Sequence, residues 1–268
     1  MSEQARPGGP DAGVRPAGPN AAAPLRRALA QARFESLAVL RNGEQALLIW
    51  ILPALVLVAL ARSEIIAIET AGGARVDVVT PGVLALAVLG TAFTSQAIAT
   101  AFDRRAGVLR FLATTPLGPG GMLAGKAAAV LVVLTAQLAA LSAVALLLGW
   151  SPDPGGIPLA AAAVVLASIA FTSLALLLAG TLRPEAVLAG ANLIWVLLLV
   201  AGGLAVPATQ LPGVLGTLAG VLPSGALAEL LRAAFGVPGI DVTGSILVLT
   251  GWAAGLAAAA ARFFRWTA

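Results

Sequence analysis

Cysteine and histidine are both absent from this 268-residue sequence, and charge is scarce. Without cysteine there is no disulfide, no thiol nucleophile and no thiolate metal site, and without histidine the commonest general base and metal ligand are gone as well. Charged residues make up 10% of the chain, against about 25% in ordinary soluble domains. What fills the space is 59% hydrophobic, with a mean hydropathy of +0.98. Such a chain is an integral membrane protein. Its net charge of +4 would point to nucleic acid in a soluble protein, but here the basic residues gather at the edges of apolar segments. They set topology, and no nucleic-acid partner is expected.

Residues 1 to 24 carry five prolines among glycine and alanine, a composition that neither holds a helix nor buries a core. A disordered cytoplasmic tail is expected there, and not a signal peptide, since no apolar core and small-residue cleavage site follow a charged start. From Leu25 to Arg41 the pattern turns helical. Leu25, Leu29, Ala32, Val39 and Leu40 share one side and Arg26, Arg27, Arg33 and Arg41 the other, with Phe34 and Leu37 intruding among the arginines. This suits a helix lying in the headgroup layer, its arginines toward anionic lipid.

Six apolar segments follow, at about Ala46 to Ala61, Val83 to Ala101, Ala127 to Gly149, Leu159 to Gly180, Ala186 to Val206 and Val242 to Ala261. A spanning helix needs about 20 residues, so the first must borrow Gln45 or Arg62. The expected architecture is all-α, with six transmembrane helices. Charge orients it: residues 1 to 45 carry +2, the loop from Phe102 to Lys126 carries +3 and the C-terminal tail +2, whereas the three intervening loops carry −1 each and the loop at Arg183 and Glu185 is neutral. Excess Arg and Lys favours retention inside, which places both termini in the cytoplasm of a cell inner or plasma membrane protein.

Between the fifth and sixth spans, Leu211 to Val221 is apolar enough to dip toward the bilayer, and Pro223 breaks it. Ser224 is expected to cap a second short helix with Leu227, Leu230, Leu231 and Ala234 on one face and with Glu229 and Arg232 pointing elsewhere; Gly236 and Pro238 close it. Pro223, Glu229 and Arg232 are candidate residues of an external gate, a pair of short helices forming a lid. A plain interfacial helix fits the same periodicity.

The six segments contain no Asp, Glu, Lys or Arg, and so lack the intramembrane charges that ion-driven carriers use. Uncharged polar groups do occur. Thr91, Thr94 and Ser95 share a helical face of the second span, Thr135 and Ser142 lie on the third, and Thr172, Ser173 and Asn192 lie on the fourth and fifth; of these, Thr91, Thr94, Ser95 and Asn192 are candidates for a substrate pathway, the alternative being ordinary interhelical hydrogen bonds. Gly251 and Gly255 form a small-xxx-small pair read as close helix packing. Gly120, Gly125 and Lys126 imitate the phosphate-binding G-x-x-x-x-G-K loop, but Ala127 stands where magnesium requires Ser or Thr, and no strand precedes. Lys126 is read as a cation snorkelling from the start of the third span.

The stretch FDRRAGVLRFLATTPLGPGGMLAGK, residues 102 to 126, resembles the cytoplasmic loop of type-2 ATP-binding-cassette (ABC) export permeases, through Asp103, Gly107, Leu112, Thr115, Pro116, Leu117, Gly125 and Lys126. LPSGALAELLR, residues 222 to 232, is similar to that family's outer segment. Arg104 and Arg105 depart from it, standing where a more acidic run is common. The resemblance covers residues 25 to 268 as one permease domain. It implies a subunit without its own ATPase site, exporting an amphipathic drug, antibiotic or lipid-like substrate, and working with a second permease chain, identical or paralogous, in the lipid membrane. It implies a cytoplasmic ABC ATP-binding subunit that holds ATP and Mg, and a coupling helix between spans two and three that docks on it. That helix is expected from Asp103 to Ala113, with Asp103, Arg104, Arg105, Gly107, Val108, Leu109, Arg110 and Leu112 at the contact. The rival readings are an ion-coupled secondary carrier and a non-transporting membrane scaffold.

Overall fold

The computed structural model describes residues 23–43, 47–63, 68, 70, 73–108 and 118–264, and the chain over them is helical, with no strand. The tail at 1–22, with its expected disorder, lies outside the described residues. Helix α1, Pro24–Arg41, places its proline in the first turn, where amides lack intrahelical acceptors in any case. A π-turn at Leu47–Ile51 runs into α2, Leu52–Arg62, so the expected first span is a short apolar helix that does extend to Arg62.

Among the described residues, five helices are long and apolar enough to cross a bilayer. These are α3 (Arg75–Arg105), α4 (Gly118–Leu147), α5 (Ile157–Thr181), α6 (Pro184–Ala201) and α9 (Val242–Phe263). Between α6 and α9, α7 (Val214–Val221) and α8 (Pro223–Ala234) meet at 82°, a broken span or a re-entrant loop. The expected all-α membrane architecture is therefore present, with five or six membrane-capable helices.

Three boundaries differ from the sequence expectation. Helix α3 begins at Arg75 and contains Pro81, which was expected in a loop. Proline removes a backbone donor, but Val76, Val78, Val79 and Thr80 are all buried against neighbouring helices, and that burial carries the helix through. Helix α4 begins at Gly118, so Pro119 to Gly121 form a helical first turn and not a break; Gly125 and Lys126 lie inside the helix, where their amides serve the helix ladder and cannot cradle phosphate. Helix α6 stops at Ala201, because Gly202 and Gly203, the latter at φ +64°, turn the chain to meet α8.

The core lies between α3, α5 and α8. The spanning window of α3 is 83% buried, whereas that of α6 is 17% buried and presents its side to the surroundings. In α8, Leu227, Leu230, Leu231 and Ala234 are buried as expected, but Glu229 and Arg232 are buried too. Helix α8 packs on α3, α5 and α9 at once, so it is wedged into the bundle and does not lie over it as a lid. Ser224 does not cap it: its hydroxyl donates to the Leu198 carbonyl of α6 at 2.8 Å. Gly236, at φ +90°, closes α8 as expected, its N–H donating to the Ala233 carbonyl.

Candidate coupling face and polar sites in the membrane region

At one end of the bundle α1, the last turn of α3 and the start of α4 converge on Lys126. Gly125 permits the approach: a Cβ there would come within 2.6 Å of Gln31 Cγ on α1. Lys126 is 4% exposed, and its Nζ lies 2.9 Å from Asp103 Oδ2 and 3.3 Å from Glu35 Oε1. One cation thus joins three elements and is itself outnumbered by two carboxylates. The snorkelling expected of Lys126 is not what the structure shows, because neighbouring acids offer it closer partners than the membrane boundary does.

Asp103, Arg104 and Arg105 form the last turn of α3 and do not start a separate helix. Arg104 Nη1 donates to the Ala179 carbonyl at the end of α5 (2.7 Å), and Arg105 Nη1 pairs with Glu185 Oε1 at the start of α6 (2.8 Å) with both side chains exposed. The turn ends at Gly107, whose φ of +74° is the left-handed conformation that favours glycine. Val108 follows, exposed. Leu109, Arg110 and Leu112 lie outside the described residues. The face of α1 away from α4 carries Arg26, Arg33, Arg41, Leu29, Phe34 and Leu37, all exposed, which explains why the sequence mixes arginines with large apolar groups there.

Within the membrane region the polar candidates separate. Thr91, Thr94 and Ser95 lie in a π-turn, Gly90–Ser95, inside α3. Thr91 is buried, its hydroxyl donating to Gln137 Oε1 of α4 at 2.8 Å, while Gln137 Nε2 donates to the Ile49 carbonyl at 2.6 Å. Thr94 and Ser95 are half-buried, and the Thr94 hydroxyl has no partner. Asn192 is exposed on α6 beside Leu193 and Val196, so the structure does not bring it to the Thr91 group. Sequence reading passed over Gln137, although an amide amid LTAQLAA was the available signal.

Toward the opposite end, Pro223 opens α8 and Arg232 is fully buried. Its Nη1 pairs with Glu229 Oε1 (2.8 Å), and its Nη2 donates to the carbonyls of Gly203 (3.0 Å) and Leu204 (2.9 Å). Glu229 Oε1 also accepts from the Ala208 N–H at 3.2 Å. The pair fastens α8 to the turn after α6. Beyond it, the start of α3 with Thr70, Gly73 and Ala74 before it, and the connections at 151–153, 207–210 and 235–240, line a cavity of about 640 Å³ that includes Asp77 and Asp153.

Between α4, α5 and α9 runs a second, mostly apolar groove of about 560 Å³, walled by Leu131, Ile169, Leu176 and Ala257 and carrying the hydroxyl-bearing side chains of Thr172 and Ser173. The Gly251 and Gly255 pair is exposed, and a Cβ at either would meet nothing within 4 Å among the described residues, so the close packing expected is not made there. Among the described residues no three acidic, histidine or cysteine side chains gather as a metal site.

No curated protein matches the chain. Residues 28–235 match the model of the ABC-2 type transporter family.

Proposed function

Since the chain belongs to the ABC-2 type transporter family and is a multi-pass membrane permease, we propose that it is the membrane subunit of an exporter energised by a separate cytoplasmic ATP-binding subunit. The observation that carries this reading is the convergence at Lys126. A force applied at the exposed Val108 would reach α1 through Glu35, α3 through Asp103 and α4 through Lys126 itself, and the neighbouring Arg104 contact extends it to α5. ATP and Mg are held by the partner subunit, and this chain binds neither. Both termini face the cytoplasm, as the positive charge of α1 and of the loop after α3 favours.

Cargo with an apolar body fits the groove between α4, α5 and α9, whose walls are side chains and not charges, so an amphipathic drug, antibiotic or lipid-like substrate is the class supported. A second permease subunit, identical or paralogous, would cover the exposed side of α6, where Asn192 then gains a partner across the interface. The test is reconstitution of the permease in lipid vesicles with and without a soluble P-loop ATPase, expected from the neighbouring reading frame. ATP-dependent export by the pair and none by either alone is expected. Transport driven by a proton gradient with no ATPase present would instead establish an ion-coupled carrier.

A further inference from the structure

A serine or threonine hydroxyl inside a helix ordinarily bonds back to the carbonyl one turn earlier. Thr80, Thr135, Ser168 and Thr181 all do so here. Thr91 does not. Its proton goes to Gln137 Oε1 on another helix, and Gln137 Nε2 in turn donates to the Ile49 carbonyl on a third. Both ends of this bridge fall in π-turns, Thr91 in Gly90–Ser95 and Ile49 in Leu47–Ile51. Gln137 is 1% exposed, and it lies thirteen residues after Ala124 and ten before Leu147, in the middle of its span.

A π-turn carries one residue more than the regular helix, which disturbs the ladder of hydrogen bonds and loosens a carbonyl. In a bilayer core such a carbonyl finds no water. One turn after Ile49 stands Pro53, which has no N–H to offer; Gln137 Nε2 donates to the Ile49 carbonyl and its oxygen accepts from the Thr91 hydroxyl, so both halves of one amide are committed. The position in α3 matters as well. The π-turn lies between the part of α3 that packs on α8 and the last turn with Asp103 to Arg105. Relaxing it to regular helix would rotate everything on one side by about 100°, one residue's step, and would carry Asp103 away from Lys126.

We propose that Gln137 is a positioning residue for the transport cycle: it clamps the π-turns of the first two spans to α4, and those spans change shape at these turns as access switches sides. The second half of this proposal rests on the permease reading, and the experiment separates the two.

Hydrogen exchange is followed by mass spectrometry on the full chain in phosphatidylcholine and phosphatidylglycerol nanodiscs, with no partner. Gln137→Leu should speed exchange at 47–51 and at 90–95 by a factor of about three each, as the loss of one interhelical hydrogen bond at each turn implies, and leave 157–181 unchanged. Thr91→Val should affect 90–95 alone, and Thr91→Ser, which keeps the hydroxyl, neither turn. No change at either turn, or an equal rise in every span, overturns the clamp. In the assembled transporter, Gln137→Leu should hydrolyse ATP with much less cargo moved per ATP, whereas Thr91→Ser keeps the wild-type ratio. An unchanged ratio in Gln137→Leu overturns the role in transport. If wild-type permease transports nothing with its ATPase, the permease reading fails, while the exchange result still decides the clamp.

Discussion

Lys126 is the only lysine in the chain, and its two partners sit 91 and 23 positions away in sequence. Removing one member of a buried ion pair leaves an uncompensated charge, which costs about 3–5 kcal/mol, while removing all members together costs far less. Lys126→Met should therefore destabilise the detergent-solubilised chain by that order, and the triple variant with Glu35→Gln and Asp103→Asn should recover most of it, as read from denaturant unfolding. Arg105 makes the opposite case. Its bond to Glu185 is exposed and worth no more than about 1 kcal/mol, so Arg105→Glu should barely alter stability. If the side chain serves a partner surface, Arg105→Glu should still reduce the ATPase activity of the assembled complex, and adding Glu185→Arg should not restore it. The acids and bases of this end were visible in the sequence as charge near span boundaries. Which carboxylate meets Lys126, and that Gln137 bridges two turns, depends on long-range packing that no local pattern encodes.

At the scale of elements, periodicity identified α1 and the apolar face of α8, because a stripe repeating every three to four residues needs only local spacing. It could not show that the other face of α8 is buried as well. That follows from a glycine on α3 and one on α8 itself. A Cβ at Gly82 would overlap the Leu204 carbonyl, and one at Gly225 the Ala219 carbonyl, so α3, the turn after α6, and α7 close around α8 only where these residues have no side chain. Gly82→Ala should cost about 1–3 kcal/mol through overpacking, and Arg232→Met about 3–5 kcal/mol by stranding Glu229 in the bundle. Gly251→Ala, with nothing within 4 Å, should be neutral or stabilise by up to about 1 kcal/mol through better helix propensity. Thermal unfolding of the three variants in one detergent checks the order. The longer α3 has the same origin: proline marks a break in sequence, and neighbours that bury its first turns overrule it.

At the scale of the molecule, the all-α membrane class was legible from hydropathy alone. The ends of the bundle differ in a way the charge pattern anticipated: α1, the last turn of α3 and the start of α4 meet through Lys126 at one, while Asp77 and Asp153 border a cavity at the other. We place the ATP-binding subunit at the first of these ends. Because the chain has no cysteine, a single thiol placed by substitution reports its own surroundings. Val108→Cys, on the exposed residue after Gly107, and Asp153→Cys, at the opposite end, are each co-expressed with the P-loop ATPase and treated with a short thiol-to-amine crosslinker. A permease–ATPase adduct is expected from Val108→Cys and none from Asp153→Cys. An adduct from Asp153→Cys, or none from Val108→Cys in a complex that still hydrolyses ATP, would contradict that placement.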